Sequence, residues 1–488
     1  MPIIDPYTQL ILARQQESTG NLAAAEKTLR ETLSVFPLHP ESLHLLATIL
    51  QDTGRSAEAL PLVQRAADAA PDDMNIHNTL AAFLANYGEH ARAEGIWRRL
   101  HELNPKVADY CHNLGRLAQH QGKSDEAVAW YYKALEIRPE SLATCEQLSD
   151  LLRARHDFIG CAQVLAGALT HFPDNVSLHL RFSYALMMTG QLVPGWLEFE
   201  WRWRNPTHPK RRHQQRPEWN GEDLAGKRIL LYSEEGIGDT IQFIRYAALL
   251  AERGGKVLVE CQPEIKPLLI LMPSVDAVRA AGEPLPPFDF QIPLMSIPRV
   301  VGASVEEIPA DVPYLAPDPR KIKTWANRLA GDKLPAGTRR VGIAWAGNAA
   351  NPNEKRRSIP PALLAPLTEI SGVRLYSLQK DHGPADLAAA GLPIIDHTRH
   401  LANFEETAAL IANLDLVISI DTAVAHLAGA MDRPVWTLLA DLCDWRWMAD
   451  RPDSPWYPSM RLFRQQTPGD WSGPLRVVEQ ALRDFKPS

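Results

Sequence analysis

Gly20, Gly54, Gly88, Gly122 and Gly190 lie on one lattice with a period of 34 residues, and His156 fills its remaining slot. Seventeen residues beyond each of the first five lattice points stands a proline: Pro37, Pro71, Pro105, Pro139 and Pro173. Two residue types sharing one period restrict the chain to a repeat architecture. Glycine, or a residue that tolerates the left-handed region, ends one helix and turns the chain; proline stops the next helix because it cannot continue it. Small residues precede each lattice point by seven positions (Ala13, Ala47, Ala81, Gly115, Ser149, Ser183) and follow the first five by five positions (Ala25, Ala59, Ala93, Ala127, Cys161). Nine positions after the same five lattice points come the larger Leu29, Val63, Trp97, Tyr131 and Leu165. Small side chains let two helices approach, and the large ones fill the gap to the next unit. The spacing predicts stacked helix pairs.

In length and in its small, small, large, proline order the unit resembles the tetratricopeptide repeat (TPR), over roughly residues 6–207, as five full units and a modified sixth. An α-solenoid over 1–207 is expected, whose groove holds a protein or peptide; dimerisation through the repeats is the other use of such an array. The sixth unit carries Gly195 in the alanine slot and crowds Trp196, Trp201 and Trp203 together. It is expected to cap the solenoid and pack it onto the following domain.

A chain of 488 residues exceeds one core. The net charge of −7 argues against nucleic acid as the general partner. No apolar run reaches membrane-spanning length, and the opening residues lack a basic stretch followed by an apolar one, so a cytoplasmic location is expected. Cys111, Cys145, Cys161, Cys261 and Cys443 form no C-x-x-C pair and read as buried, reduced thiols.

From Lys227 the texture changes. RILLYS reads as a buried strand, EEGIGD as a turn, TIQFIRYAALLAERGG as a helix and KVLVEC as the next strand. Residues 263–319 are proline-dense and loop-like, with FDFQIP as one short strand. A second start at Arg339 gives strands at RRVGIAWAG, VRLYSLQ, DLVISID and PVWTLLA, with helices at ALLAPLTEI, ETAALIANL and TAVAHLAGAM. Two Rossmann-like lobes follow, at 208–334 and 335–488, with a ligand cleft at the carboxyl ends of the strands. Gly236 and Gly238 begin a dinucleotide fingerprint, but Ile241 occupies the third slot and no acidic residue closes the next strand, so an NAD site is not expected.

Three places could carry chemistry. Asp421 and Thr422 stand where a buried strand enters a helix, and the free N–H groups there suit a phosphate; His426 lies one turn on. Simple capping of the helix is the alternative. Lys355, Arg356 and Arg357 follow a strand end and could neutralise a diphosphate, a solvated loop charge run being the alternative; Gln379 and Lys380 at the neighbouring strand end favour a polar site. Asp239, at the first lobe's strand-to-helix turn, suits a general base or an N-cap.

GIGDTIQFIRYAALL and DLVISIDTAVAHLAGAMDRPVW together resemble the heptosyltransferase-like glycosyltransferases of family 9, which have the GT-B fold, in the variety fused to TPR units. The likeness spans roughly residues 225–488. It implies a TPR α-solenoid followed by an α/β GT-B pair, with the acceptor on the first lobe and a nucleotide sugar on the second. It implies Asp239 as the base that deprotonates an acceptor hydroxyl, and Asp421, Thr422, Ala423 and His426 as the donor motif. Ala423 stands where heptosyltransferases carry glycine, so ADP-heptose is not implied as donor. The tail CDWRWMADRPDSPWYPSMRLFRQ is similar to that of the repeat-fused relatives, and Asp444, Arg446, Arg451, Ser454 and Trp456 are its candidates for shaping donor or acceptor recognition, with Gly236 and Gly238 on the other wall.

The function expected is bacterial protein glycosylation: inverting, metal-independent and cofactor-free transfer from a nucleotide diphosphate sugar to a Ser or Thr hydroxyl of a protein held by the repeats. A non-catalytic TPR scaffold and a sugar-nucleotide epimerase are the alternatives; nucleotide binding distinguishes the first, and the appended repeats disfavour the second.

Overall fold

The structure, a computed structural model, describes residues 5–347, 354–380 and 383–487. Asn348, at an expected strand end, and residues 351–353, at the start of the basic segment, lie outside the described residues. By its internal contacts the chain divides into two compact units, Met1–Asp174 and Asn175–Ser488.

The first unit is a succession of helix pairs: α1 (Pro6–Ser18) with α2 (Leu22–Val35), α3 (Pro40–Asp52) with α4 (Ser56–Ala69), α5 (Met74–Asn86) with α6 (His90–Leu103), α7 (Ala108–His120) with α8 (Ser124–Ile137), and α9 (Leu142–Ala154) with α10 (Phe158–His171). The lattice residues Gly20, Gly54, Gly88, Gly122 and His156 turn the chain within each pair at φ values of 78°, 78°, 81°, 73° and 60°. Ala13, Ala47, Ala81, Ala25, Ala59, Ala93 and Ala127 are buried, as are Leu29, Val63, Trp97, Tyr131 and Leu165, so the small and large slots form the core. In the fourth pair the small slot must be glycine, because a Cβ on Gly115 would lie 2.8 Å from the Tyr131 ring.

The sixth helix pair, α11 (Val176–Met188) and α12 (Leu192–Phe199), belongs to the second unit. The lattice puts a boundary after residue 207, whereas the contacts divide the chain after Asp174. Trp196 supplies the physical reason. It is buried, its indole N–H donates to the Ala303 carbonyl at 3.0 Å, and its ring meets Trp445 edge-on at 5.2 Å. The shortened sixth pair is thus packed into the α/β half. Trp201 stacks on His179 at 3.6 Å, and Trp203 lies under the Arg202 guanidinium at 4.6 Å.

The rest of the second unit holds two all-parallel sheets. The first has the order β3-β2-β1-β4, from β1 (Arg228–Tyr232), β2 (Lys256–Cys261), β3 (Ala277–Ala280) and β4 (Phe290–Pro293). The second runs β6-β5-β7-β8-β9, from β5 (Arg339–Ala344), β6 (Val373–Ser377), β7 (Leu416–Ile420), β8 (Val435–Leu439) and β9 (Met460–Arg464). The helices that matter for the site are α13 (Ile237–Phe243) and α14 (Tyr246–Glu252) after β1, then α15 (Glu354–Arg357), α16 (Phe404–Ile411), α17 (Ala423–Ala430) after β7, and the terminal α18 (Ser472–Asp484).

The structure corrects several sequence expectations. The helix expected from Thr240 starts earlier, at Ile237, and is interrupted after Phe243. ALLAPLTEI forms a 3-10 turn at Pro361–Leu364 and a single helical turn at Ala365–Thr368, because Pro361 and Pro366 cannot donate to a longer ladder. The proline-dense segment holds two strands rather than one, and β9 and α18 were not anticipated. All five cysteines are free and buried, and no helix among the described residues is long and apolar enough to cross a membrane.

Candidate functional site

β1 delivers the chain to Gly236, the N-cap of α13. Asp239 is therefore not the N-cap but the third residue of the helix, and its Oδ2 reaches back to accept the Gly236 N–H at 2.8 Å. Its other oxygen is ion-paired with Arg446. Burial pushes the Asp239 carboxyl above the usual range, helped by Asp444 and Glu235 and opposed by Arg446 and the Gly236 N–H. Its side chain keeps 22% of its surface, which leaves it reachable.

β7 delivers the chain to Asp421, and Thr422 caps α17 by accepting the Val424 N–H at 3.3 Å. The expected capping role is thus present. Arg357, at the end of α15, donates to the Asp421 carbonyl at 3.2 Å and lies 3.9 Å from its carboxylate. His426 faces the same carboxylate, with Nε2 at 3.9 Å from Oδ1. A Cβ on Gly238 would sit 3.1 Å from His426 Cδ2 and 3.7 Å from the Ala423 Cα, so the starts of α13 and α17 touch.

Arg446 ties the two lobes. It lies on a 3-10 turn, Trp445–Trp447, and is buried. It pairs with Asp239 and, at 2.8 Å, with Asp444, while its Nε donates to the Gln242 side chain. Burial opposes its charge, but Asp444, Asp239 and Asp421 outweigh that and hold it protonated. Among the described residues no group of three or more His, Cys, Asp or Glu side chains is placed to hold a metal ion.

The fold therefore assembles Asp239, Gly236, Gly238, Arg357, Asp421, Thr422, Ala423, His426, Asp444 and Arg446. Others lie differently. Gln379 is turned inward, its Oε1 accepting the Trp345 and Ala346 N–H groups at 3.2 and 2.9 Å, which makes it a brace between the ends of β5 and β6. Lys355 and Lys380 are exposed. Arg451 pairs with Asp453 at 2.8 Å, and the Ser454 hydroxyl accepts the Trp456 N–H at 3.2 Å. Sequence reasoning passed over Gln242, Glu354 and Tyr457. Gln242 and Arg245 follow Asp239 at intervals of three along a largely apolar segment, and a buried polar stripe of that kind was a usable signal. Glu354 accepts the Ser358 hydroxyl and pairs with Arg357 at 3.0 Å, which orders the short helix presenting that arginine. Nothing in the sequence links Tyr457 to its partner.

The Asp421 carboxyl is pushed up to about 6 by burial and by Asp444, against Arg357. A carboxyl raised in the folded state binds its proton more tightly there, so the stability it contributes is present at low pH and is lost as pH climbs from about 4 to about 6. Wild-type stability is expected to fall by roughly 2–3 kcal/mol across that window relative to Asp421→Asn. Denaturation midpoints at several pH values check this, and parallel curves for the two proteins would refute it.

Three stretches of the chain match known families. Residues 12–73 and 108–141 match the tetratricopeptide repeat, and residues 397–467 match glycosyltransferase family 9 (heptosyltransferase). The family 9 match takes in Asp421, Thr422, Ala423, His426, Asp444, Arg446 and Arg451, and leaves out Asp239 and Arg357. Protein FlbA of Caulobacter vibrioides is 28% identical over 346 residues; the match covers 65% of this chain and 56% of FlbA, so the chain spans about half the length of that relative. Among solved structures, a tetratricopeptide repeat protein from Parabacteroides merdae aligns at 19% identity, covering 42% of this chain and 80% of that one with a TM-score of 0.35. PilW, a type IV pilus biogenesis factor, aligns at 16% identity, covering 41% of this chain and 93% of its own, with a TM-score of 0.36. The chain carries tetratricopeptide repeats in its N-terminal region and a glycosyltransferase family 9 domain towards its C-terminus.

Proposed function

We propose that the α/β half transfers a sugar from a nucleotide diphosphate sugar to a hydroxyl of a protein selected by the repeats, with inversion and without a metal. Asp239 takes the acceptor proton as the hydroxyl oxygen bonds to the anomeric carbon. The bond from that carbon to the diphosphate breaks, and its electron pair leaves on the phosphate oxygen. The start of α17 and the Arg357 guanidinium meet that growing charge with donors already in place. Arg446 and the Gly236 N–H hold Asp239 in orientation, and each carboxylate oxygen keeps a lone pair for the proton. The observation that carries this reading is the juxtaposition of the Asp239 helix start with the Asp421–Thr422–His426 helix start, bridged by Arg446.

One observation favours the scaffold alternative: the two helix starts close so tightly that a Cβ on Gly238 would sit 3.1 Å from His426 Cδ2, where a donor would approach. Calorimetry with UDP, GDP, ADP and dTDP separates the two. One nucleoside diphosphate is expected to bind, and Arg357→Ala to weaken it about 10- to 100-fold, as for a lost charged hydrogen bond. A chain that ignores all four is a scaffold, and unchanged affinity in Arg357→Ala removes that residue from the donor site.

A further inference from the structure

The least expected contact at the site lies behind it. Tyr457, from the tail between the 3-10 turn and β9, is fully buried, and its hydroxyl stands 2.8 Å from His426 Nδ1. Its ring is set against the α17 backbone at Gly429, where a Cβ would lie 2.5 Å from Tyr457 Cγ. Under the ring, at 4.8 Å, lies the Arg245 guanidinium, which donates to the Trp456 and Pro309 carbonyls at 2.7 and 3.0 Å and to the Tyr314 hydroxyl at 3.0 Å. Trp447 is stacked on the His426 ring at 5.2 Å, and the Tyr457 ring meets it edge-on at 5.7 Å.

Burial, Arg446 and Arg245 hold the His426 imidazole well below its ordinary range, so the ring is neutral and carries one N–H. Which nitrogen carries it follows from the neighbours. Nε2 faces the Asp421 carboxylate at 3.9 Å, a group that favours a proton turned towards it. Nδ1 faces a phenol, which can supply a proton of its own. The carboxylate, which can only accept, selects the tautomer with the histidine proton on Nε2, and the Tyr457 phenol, which can donate or accept, completes it by donating to Nδ1.

We propose that Tyr457 is a positioning residue that locks His426 as the Nε2–H tautomer, so that this N–H points at the start of α17 and serves as a donor to the diphosphate of a nucleotide sugar. The diphosphate part rests on the reading of that helix start as the donor site; the tautomer does not. The device has the form seen wherever a histidine's outward nitrogen is set by the hydrogen bond its inner nitrogen makes.

The test uses the full chain and Tyr457→Phe, which keeps the ring seated against Gly429 and removes only the hydroxyl. Nitrogen-15 NMR of the histidine rings is expected to show His426 as Nε2–H in the wild type and as a mixture of tautomers in Tyr457→Phe. For whichever of UDP, GDP, ADP or dTDP binds, Tyr457→Phe is expected to weaken affinity about 5- to 10-fold. In a His426→Ala background the same substitution should have no further effect, since Tyr457 acts only through that ring. An Nδ1–H ring in the wild type, a tautomer unmoved by Tyr457→Phe, or additive losses in the double variant would overturn the proposal. Failure of all four nucleotides to bind, with the tautomer as expected, would instead remove the donor-site reading and with it the diphosphate role, leaving the lock itself in place.

Discussion

Asp239→Asn is expected to lower sugar transfer by about 10²- to 10⁴-fold, the range set by loss of a general base. The amide preserves the shape of the side chain but cannot accept the acceptor proton. Nucleoside diphosphate affinity should change little, because the donor contacts proposed here come from Arg357 and the start of α17 on the other lobe. The raised carboxyl at Asp239 brings its basicity closer to neutral pH, which is where a base works best. Mass spectrometry of proteins that co-purify with the chain supplies the acceptor, and the sugar increment on it should vanish in the variant. Turnover retained within a few-fold would remove Asp239 from the chemistry.

Arg446→Met is expected to destabilise the second unit by about 1–3 kcal/mol, less than the cost of a fully buried unpaired charge because both carboxylates keep some contact with water. The guanidinium is buried between Asp239 and Asp444 and bonded to Gln242, so its removal leaves two partly exposed carboxylates and a buried amide without their partner. Lysine would not substitute, since one ammonium cannot reproduce a planar fork directed at three acceptors. Adding Asp444→Asn to Arg446→Met should recover part of the loss, because it removes one of the stranded charges. Chemical denaturation monitored by tryptophan fluorescence checks both variants. A loss below about 0.5 kcal/mol for Arg446→Met would mean that the two aspartates do not depend on the guanidinium.

The strength of the sequence signal differed sharply between the halves, for a physical reason. In the repeats every contact that defines the fold joins residues close along the chain, so each slot imposes the same size rule every 34 residues, and the pattern survives Gly115 opposite Tyr131 and His156 in a glycine slot. In the α/β half, β1, β2, β5, β6, β7 and β8 were readable because buried parallel strands are continuous apolar runs. β3 is four residues long and β9 begins Met-Arg, which weakens any such run. The proline-broken helical turns after residue 360 escaped because their apolar spacing still mimicked a helix.

The chemistry divides in the same way. By itself the sequence determined the repeat array, the two α/β lobes and the local placement of Asp239 and of Asp421–Thr422–His426 at strand-to-helix turns. Those features depend on neighbours within a few residues. Only the tertiary structure decided that Arg446 reaches Asp239 across 207 positions, that Tyr457 stands behind His426, that Gln379 braces the sheet, and that the sixth helix pair folds with the α/β half. These pairings join segments remote in the chain, and no local spacing rule encodes them. They follow from which buried charges and hydroxyls must find partners once the lobes close on one another.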